Sequence, residues 1–208
     1  MQEGERDGGM RPSAARGAAT REHLITVATG LFTERGYEGT SIDAVLQAAE
    51  VSRGSLYHHF RGKDALFEAV LEALEVDVGQ RVMEAAADAP DPATALRRGC
   101  VAWVRLAGDP IVRRVLLIDA PSVLGWDGWR ALEERHALGL IKAVVGEIAA
   151  EGGLAPELVD VFSHVILAAM NEIALLVARS DRLEAAMGEG ADAIDEVLSR
   201  LVGLPADP

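Results

Sequence analysis

The stretch TSIDAVLQAAEVSRGSLYHHF, residues 40–60, contains two short amphipathic segments joined by a tight turn. In the first, Thr40 precedes an apolar-periodic run with an acidic residue three positions on, a spacing typical of a capped helix start. In the second, Ser52 is placed to cap a helix on which Leu56 and Phe60, four residues apart, share one face. The stretch therefore predicts two short helices, the second with an exposed polar surface.

Helical periodicity continues on both sides of this stretch, and no alternating strand pattern of useful length is present. An upstream helix presents Leu24, Ala28, Leu31 and Phe32 on one face and is expected to end at Gly36. Further helices are predicted to begin at Asp91-Pro92 and Asp109-Pro110 and to cover about residues 127–150, 156–179 and 191–202, with breaks at Gly152-Gly153 and at Gly188-Glu189-Gly190. We expect an all-α protein of about nine helices.

The formal net charge of −13 is unevenly distributed along the 208 residues. Residues 11–63 contain seven Lys or Arg and five Asp or Glu, whereas residues 65–208 contain 12 and 24. An acidic body repels polyanions, but a less negative end can still approach them in one orientation. An ordinary solvated acidic surface explains the same numbers, so charge alone assigns no function.

Three compositional features bound the location of the protein. A single cysteine, Cys100, excludes an internal disulfide framework and suits a reducing cytoplasm. Residues 1–17 mix glycines with charges, which predicts a disordered tail and shows no export signal. The most apolar segment, residues 165–178, is interrupted by Asn171 and Glu172, so it is interpreted as a buried helix and no membrane partner is expected.

Two short helices joined by a tight turn meet the requirements of a helix-turn-helix, whose second helix enters the major groove of DNA. The first turn of that helix offers free backbone N–H groups and the hydroxyls of Ser52 and Ser55. Arg53 can bind guanine through two hydrogen bonds, and Gly54 lets the backbone come close. The alternative is a helical hairpin with a polar face and no nucleic-acid role.

Residues 20–70 resemble the DNA-binding domain of the tetracycline-repressor-like (TetR) family. The resemblance is carried by the runs Gly36-Tyr37, Thr40-Ser41, Val51-Ser52, Leu56-Tyr57, His59-Phe60 and Lys63-Asp64-Ala65-Leu66. It implies that Arg53, Gly54 and Ser55 face bases, and that Thr40, Ser41, Tyr57, His59 and Lys63 contact the DNA backbone. Glu50 departs from the family, which usually has glycine in the turn; a positive φ there costs a residue with a side chain about 1 kcal/mol.

The resemblance also implies the domain organisation: a helix-turn-helix domain at residues 18–64 and a helical ligand-binding and dimerisation domain at residues 65–208. A helix-turn-helix monomer reads only a few base pairs, so two copies of the chain are expected to form a dimer that brings two recognition helices to a palindromic operator. The homodimer would form through helices at about 156–179 and 191–202. The implied protein is a bacterial, cytoplasmic repressor released from its operator by a small, largely apolar ligand.

Polar residues within the apolar stripes of the body are the candidate ligand contacts. They are Cys100, Trp103, Asp119, His136 and Asn171. For each of them, hydrogen-bonded core or interface is the alternative interpretation. Asp119 lies in the apolar run VLLIDAPSVLGW and therefore needs a partner or a proton.

Two other functions are considered for the body. It could serve assembly alone, which makes the chain a dimeric DNA-binding protein without ligand sensing, or it could be a helical enzyme. Glu133-x-x-His136 has the spacing of di-iron bundles, but no second such pair is present, so no metal site is expected. The sequence contains no nucleophile elbow or phosphate-binding loop. We therefore expect neither a cofactor nor enzymatic activity.

Overall fold

The computed structural model describes residues 12–201, which are helical apart from short turns and contain no β-strand. The nine α-helices are α1 (Pro12–Gly39), α2 (Ile42–Ala49), α3 (Arg53–His59), α4 (Lys63–Ala86), α5 (Pro92–Leu106), α6 (Ala120–Glu133), α7 (Gly139–Ala150), α8 (Val159–Arg179) and α9 (Leu183–Leu201). π-Helical segments, Val112–Asp119 and Glu134–Leu138, run directly into α6 and α7, and a 3₁₀ turn, Pro156–Leu158, precedes α8. The predicted all-α class is confirmed.

The predicted tail falls mostly outside the described residues. Residues 12–17 form the first turns of α1, so the boundary at residue 17 was placed too late. The end of α1 agrees better with the prediction: helical geometry breaks at Gly36, which has φ 71° and ψ 172°. A last short turn then reaches Gly39.

Local capping groups set the ends of α2 and α3. Ser41, not Thr40, caps α2: its Oγ accepts a hydrogen bond from the Ala44 N–H at 3.1 Å. Ser52 caps α3 as predicted, with its Oγ 3.2 Å from the Ser55 nitrogen. These caps fix the residues at which the two short helices begin, so the tight turn between them has a defined shape.

The turn between α2 and α3 depends on Glu50. This residue is the only one with a side chain among the described residues that has a positive φ (53°), and it ends α2 in the left-handed conformation. The His23 Nε2 atom lies 3.1 Å from the Ala49 carbonyl oxygen, and the Val51 N–H donates to the Leu46 carbonyl at 3.3 Å. The Leu46 and Ala49 carbonyl groups at the end of α2 therefore have hydrogen-bond partners, although the C-cap residue is not glycine. The expected tight turn is retained.

The N-terminal helices share a core with the body. Phe67 of α4 packs edge-on against Phe32 and Tyr37, with ring centroids 5.0 and 4.9 Å away. Leu56 and Phe60 of α3 point into the same interior and are buried, as predicted. The long helix α4 thus carries the base of the helix-turn-helix and continues into the body.

The C-terminal helices depart from the sequence prediction at one place. The helix α9 begins at Leu183, whereas the glycines at 188 and 190 were expected to delay it to about residue 191. A Cβ atom at Gly190 would lie only 3.0 Å from side-chain carbons of Val104 and Val177. Gly190 therefore lets α9 pack closely on its neighbours, and it does not end a helix. Gly152, with φ 85°, does mark the predicted break after α7.

The 24-residue run Pro156–Arg179 is long and apolar enough to cross a membrane by length and composition alone. Half of its most apolar 18-residue window is buried inside the protein. Core helices of soluble proteins pass the same test, so this run is weak evidence for a membrane span. Its buried half agrees with the predicted interior helix.

Candidate DNA interface and ligand cavity

The first turn of α3 projects from the surface of the N-terminal domain. Ser52, Arg53 and Gly54 are exposed, and Tyr57 one turn later is 46% exposed. Ser55 is half-buried. Because Leu56 is fully buried on the opposite side, the helix cannot rotate without exposing its apolar face. The predicted groove-facing residues therefore share one outward surface.

Arg53 is tied to α2 by an ion pair. Its guanidinium group pairs with the Asp43 carboxylate, and both side chains are exposed, 58% and 74% respectively. An exposed pair of this kind contributes at most about 1 kcal/mol, so it orients Arg53 without holding it strongly. A guanine base can therefore compete with Asp43 for this guanidinium group.

Tyr37 organises the edge of this surface. The Lys63 Nζ atom lies 3.9 Å from the centroid of the Tyr37 ring, and the Tyr37 hydroxyl donates to Asp64. Partial burial and the Asp64 carboxylate raise the pKa of Tyr37, so the ring stays neutral. Lys63 is half-buried and held by a cation–π contact next to the turn, while His59 is half-buried at the end of α3.

Thr40 does not belong to this surface. Its side chain is 1% exposed, and its hydroxyl lies 2.8 Å from the Gly36 carbonyl oxygen and 3.1 Å from that of Leu31. The predicted contact between this hydroxyl and a phosphate is therefore not supported, because the hydroxyl bonds the end of α1. Its neighbour Ser41 is exposed at the start of α2 and remains a candidate.

Asp119 joins the head to the body. Its Oδ2 atom accepts a hydrogen bond from the Tyr37 backbone N–H at 2.7 Å, and its carboxylate lies 3.3 Å from the Arg114 Nε atom. The expectation that this buried acid needs a partner is therefore confirmed. Its assignment as a ligand contact stays a prediction, and Asp119 does not line the two cavities described below.

A cavity lies in the body between α4, α5, the end of α6, α7, α8 and the π-helical segment before α7. Its volume is about 60 Å³, room for a few water molecules. Its lining includes Glu75, Trp103, Glu133, His136 and Asn171 among apolar side chains. A second, almost wholly apolar cavity of about 240 Å³ abuts it, and both are lined by Val82, Leu140, Ile141 and Met170.

Four of the five predicted ligand contacts lie at these cavities. Trp103, His136 and Asn171 line the smaller one, and Cys100 lines the larger. The Cys100 thiol donates to the Met170 sulfur at 3.2 Å, and burial raises its pKa to about 12. Cys100 is therefore a packing residue and not a reactive thiol.

The sequence analysis missed the two buried carboxyl groups of the cavity, those of Glu75 and Glu133. Burial raises the pKa of both, and the neighbouring Glu75 carboxyl raises that of Glu133 further. Glu75 lies at helical spacing from the buried Leu71 and Val78, a signal that could have placed it in the core. Glu133 was noticed only as part of a discarded metal motif.

Known proteins match both parts of the chain. The family model for bacterial regulatory proteins of the tetR family matches residues 24–70, and the model for the tetracyclin repressor-like C-terminal domain matches residues 93–201. The HTH-type transcriptional regulator AcrR of Shigella flexneri is 39% identical over 79 residues, which span 38% of this chain and 37% of AcrR. The matched stretch is thus little more than a third of that relative.

Solved structures extend the similarity to nearly the whole chain. A TetR-family transcriptional regulator from Pectobacterium atrosepticum superposes with a TM-score of 0.81 at 29% identity, covering 92% of this chain and 98% of the other. The protein RolR, solved in complex with the ligand resorcinol, gives a TM-score of 0.70 at 21% identity, covering 93% of this chain and 92% of RolR. At that identity the second match shows a shared fold only.

Proposed function

Because this chain belongs to the TetR family of bacterial transcriptional regulators, we propose that it is a cytoplasmic homodimeric repressor released from a palindromic operator by a small ligand. The observation that carries the proposal is the geometry of α3. Its first turn exposes Arg53 and Gly54, while Leu56 and Phe60 anchor the helix from behind. A helix presented in this way fits the major groove.

Within this proposal, the DNA contacts divide into two classes. Arg53, Gly54 and Ser55 read base edges from the first turn of α3. The phosphate contacts come from α3 and the segments around it, and they are Ser41, Ser52, Tyr57, His59 and Lys63. Base contacts set sequence preference, and phosphate contacts set overall affinity and its dependence on salt. The two classes therefore respond differently to substitution.

Two single substitutions test this division. Arg53→Ala is expected to cost about 1–3 kcal/mol on the preferred operator and to relax the preference at one base pair. Lys63→Ala is expected to weaken all sequences alike and to flatten the dependence of affinity on salt. Arg105→Ala, which removes an exposed cation from the body, is the control with the same change in charge. Identical effects of the first two substitutions would contradict the division.

The proposed dimer forms through α8 and α9, which pack against each other. The outer side of α8 carries the exposed apolar residues Val161, Val165 and Leu176, of which Leu176 is 61% exposed. Apolar exposure along one helix face is typical of a subunit interface. The same helix looks long enough to span a membrane, and a partner subunit covering this face accounts for its apolar surface without one.

A matched pair of substitutions tests the dimer. Leu176→Glu places a charge on the proposed seam and is expected to give a monomer with much weaker operator binding. Val76→Glu places the same charge on α4, at a residue with a similar exposed fraction of 62%, and should leave the dimer intact. Light scattering measures the mass of each variant. A dimeric Leu176→Glu protein would exclude this face as the interface.

The proposed gating uses the helical run from Val112 to Glu133, which is kinked at Gly125, where φ is 72° and ψ is 166°. Glu133 at its C-terminal end lines the cavity, while Asp119 near its middle holds the Tyr37 backbone of the head. A ligand that shifts this run therefore changes how the head is held and, in a dimer, the separation of the recognition helices. RolR, which shares the fold, is solved with the ligand resorcinol.

The competing function is a dimeric DNA-binding protein whose body serves assembly alone. A panel of small molecules distinguishes the two by operator affinity and melting temperature. We expect at least one class of compound to raise the melting temperature and weaken operator binding together. If no compound in a broad panel changes either quantity, assembly alone is the better account of the body.

A further inference from the structure

The polar end of the smaller cavity has hydrogen-bonding groups that the protein itself does not satisfy. Glu75, Trp103, Glu133 and Asn171 come from four different helices, and none is more than 8% exposed. Four atoms there have no hydrogen-bond partner: Glu75 Oε1, Trp103 Nε1, Glu133 Oε1 and Asn171 Oδ1. Buried polar atoms are rarely left in this state. Three of the four accept hydrogen bonds, so the complementary ligand is rich in donors.

The charge of this site is also unbalanced. The Glu133 and Glu75 carboxyl groups are neighbours in the cavity lining, and two neighbouring buried carboxyl groups cannot both ionise easily. Such a pair shares one proton over a range of pH and carries one negative charge. Among the described residues, no Lys, Arg or His forms an ion pair with either carboxyl; the neighbouring Arg135 and His136 both pair with Glu72.

A buried negative charge without a cation costs several kcal/mol, which a bound cation recovers. We propose that the cavity binds a protonated amine carried on an apolar body. The ammonium group bonds Glu75 and Glu133 and neutralises the one negative charge that the pair carries, while the two carboxyl groups keep the proton they share. The apolar body occupies the adjoining cavity beside Cys100 and Met170. This assignment rests on the proposed ligand-binding function and specifies its chemistry.

The indole of Trp103 supports the same ligand class. It is buried in the same lining as the two carboxyl groups, and an ammonium group over an indole face is stabilised by the ring quadrupole. The apolar cavity has almost no polar lining, so a second charge on the ligand would be unsatisfied there. The fitting ligand is therefore singly charged at one end.

Binding is expected to weaken as pH falls, because protonation of both carboxyl groups removes the negative charge that attracts the ammonium group, while an alkylamine stays protonated below about pH 10. Other charged groups face the pair. They are Glu72 on α4, Arg130 on α6, Glu134, Arg135 and His136 in the π-helical segment, and Glu172 on α8. The lining from α7 carries no charge.

Calorimetry with three compounds of equal chain length tests the proposal: n-hexylamine, 1-hexanol and hexanoate. The amine is expected to bind at least about tenfold more tightly than the alcohol, and hexanoate not at all. Titrations in two buffers with different heats of ionisation should show close to no proton released per amine bound, because the carboxyl pair keeps its shared proton. Glu133→Gln and Glu75→Gln should each weaken amine binding at least about tenfold and leave 1-hexanol unchanged.

Glu134→Gln is the matched control, since it makes the same change one residue away, on a side chain that pairs with Arg130. It should leave amine binding unchanged, and circular dichroism with operator binding verifies that every variant is folded. Equal affinities for amine and alcohol would overturn the proposal. So would amine binding that survives both glutamine substitutions, or no amine binding up to millimolar concentration.

Operator binding in the presence of hexylamine separates this proposal from ligand gating. If hexylamine binds through the two glutamates but operator affinity is unchanged, the ligand chemistry stands and gating fails. If compounds of another class release the operator while no amine binds, gating stands and the amine assignment fails.

Discussion

Replacing Thr40 by valine separates two roles for this residue, a structural one and contact with DNA. Valine has nearly the same shape, so the substitution removes the hydroxyl and leaves little cavity. In the protein that hydroxyl is fully buried and is shared between the Gly36 and Leu31 carbonyl oxygens, at 2.8 and 3.1 Å. Leaving a buried acceptor without its donor costs about 1–3 kcal/mol. For a chain of this size, that corresponds to a drop in melting temperature of about 2–4 °C per kcal/mol.

Urea unfolding at fixed protein concentration measures the free energy of unfolding, since the stability of a dimer depends on concentration. Thr40→Ser, which keeps the hydroxyl, is the control, and it should lose only the methyl contribution of about 0.8 kcal/mol. Operator affinity per folded molecule should match wild type in both variants. The reasoning is refuted if Thr40→Val keeps wild-type stability but binds DNA more weakly with a shallower salt dependence. That result would make Thr40 a phosphate contact after all.

Three further substitutions test other positions. Glu50→Gly should raise the free energy of unfolding by about 1 kcal/mol, because glycine adopts the left-handed conformation without the strain of a side chain; an unchanged urea midpoint would refute this. Gly188→Ala should stabilise α9 by about 1 kcal/mol. The Gly190→Ala protein should be less stable than the Gly188→Ala protein by at least about 1 kcal/mol, as measured by thermal unfolding, because only at position 190 does the added methyl group meet Val104 and Val177. The pKa of Glu133 is raised in the folded protein, so the folded state holds this proton more tightly than the unfolded state does. The resulting contribution to the free energy of unfolding is present near pH 4.5, the ordinary pKa of the group, and is lost as pH rises, at up to about 1.4 kcal/mol per pH unit. Glu133→Gln should therefore gain stability over wild type from about pH 5 to pH 8, and parallel pH profiles would contradict that sign.

Head and body are coupled at one residue that the sequence placed elsewhere. Asp119 was expected in the ligand pocket because it interrupts an apolar run, and apolar surroundings do require it to have partners. Those partners are the Tyr37 N–H and Arg114, one of which is 82 residues away in sequence. The choice between a ligand and a protein partner depends on which helix packs opposite, and periodicity within one helix carries no information about that.

The sequence by itself determined the helix-turn-helix and the positions of most helix ends. Ser52, Asp91, Gly36 and Gly152 act through hydrogen bonds and dihedral angles within one turn of the chain, so their effects can be deduced from a short window. Only the tertiary structure decided that the Thr40 hydroxyl points inward and that Gly190 is a packing site. It also decided that Glu75 and Glu133, from two separate helices, share one buried cavity. Burial and charge pairing depend on where helices cross in space, and helices distant in the chain can cross in many ways that satisfy the same local pattern.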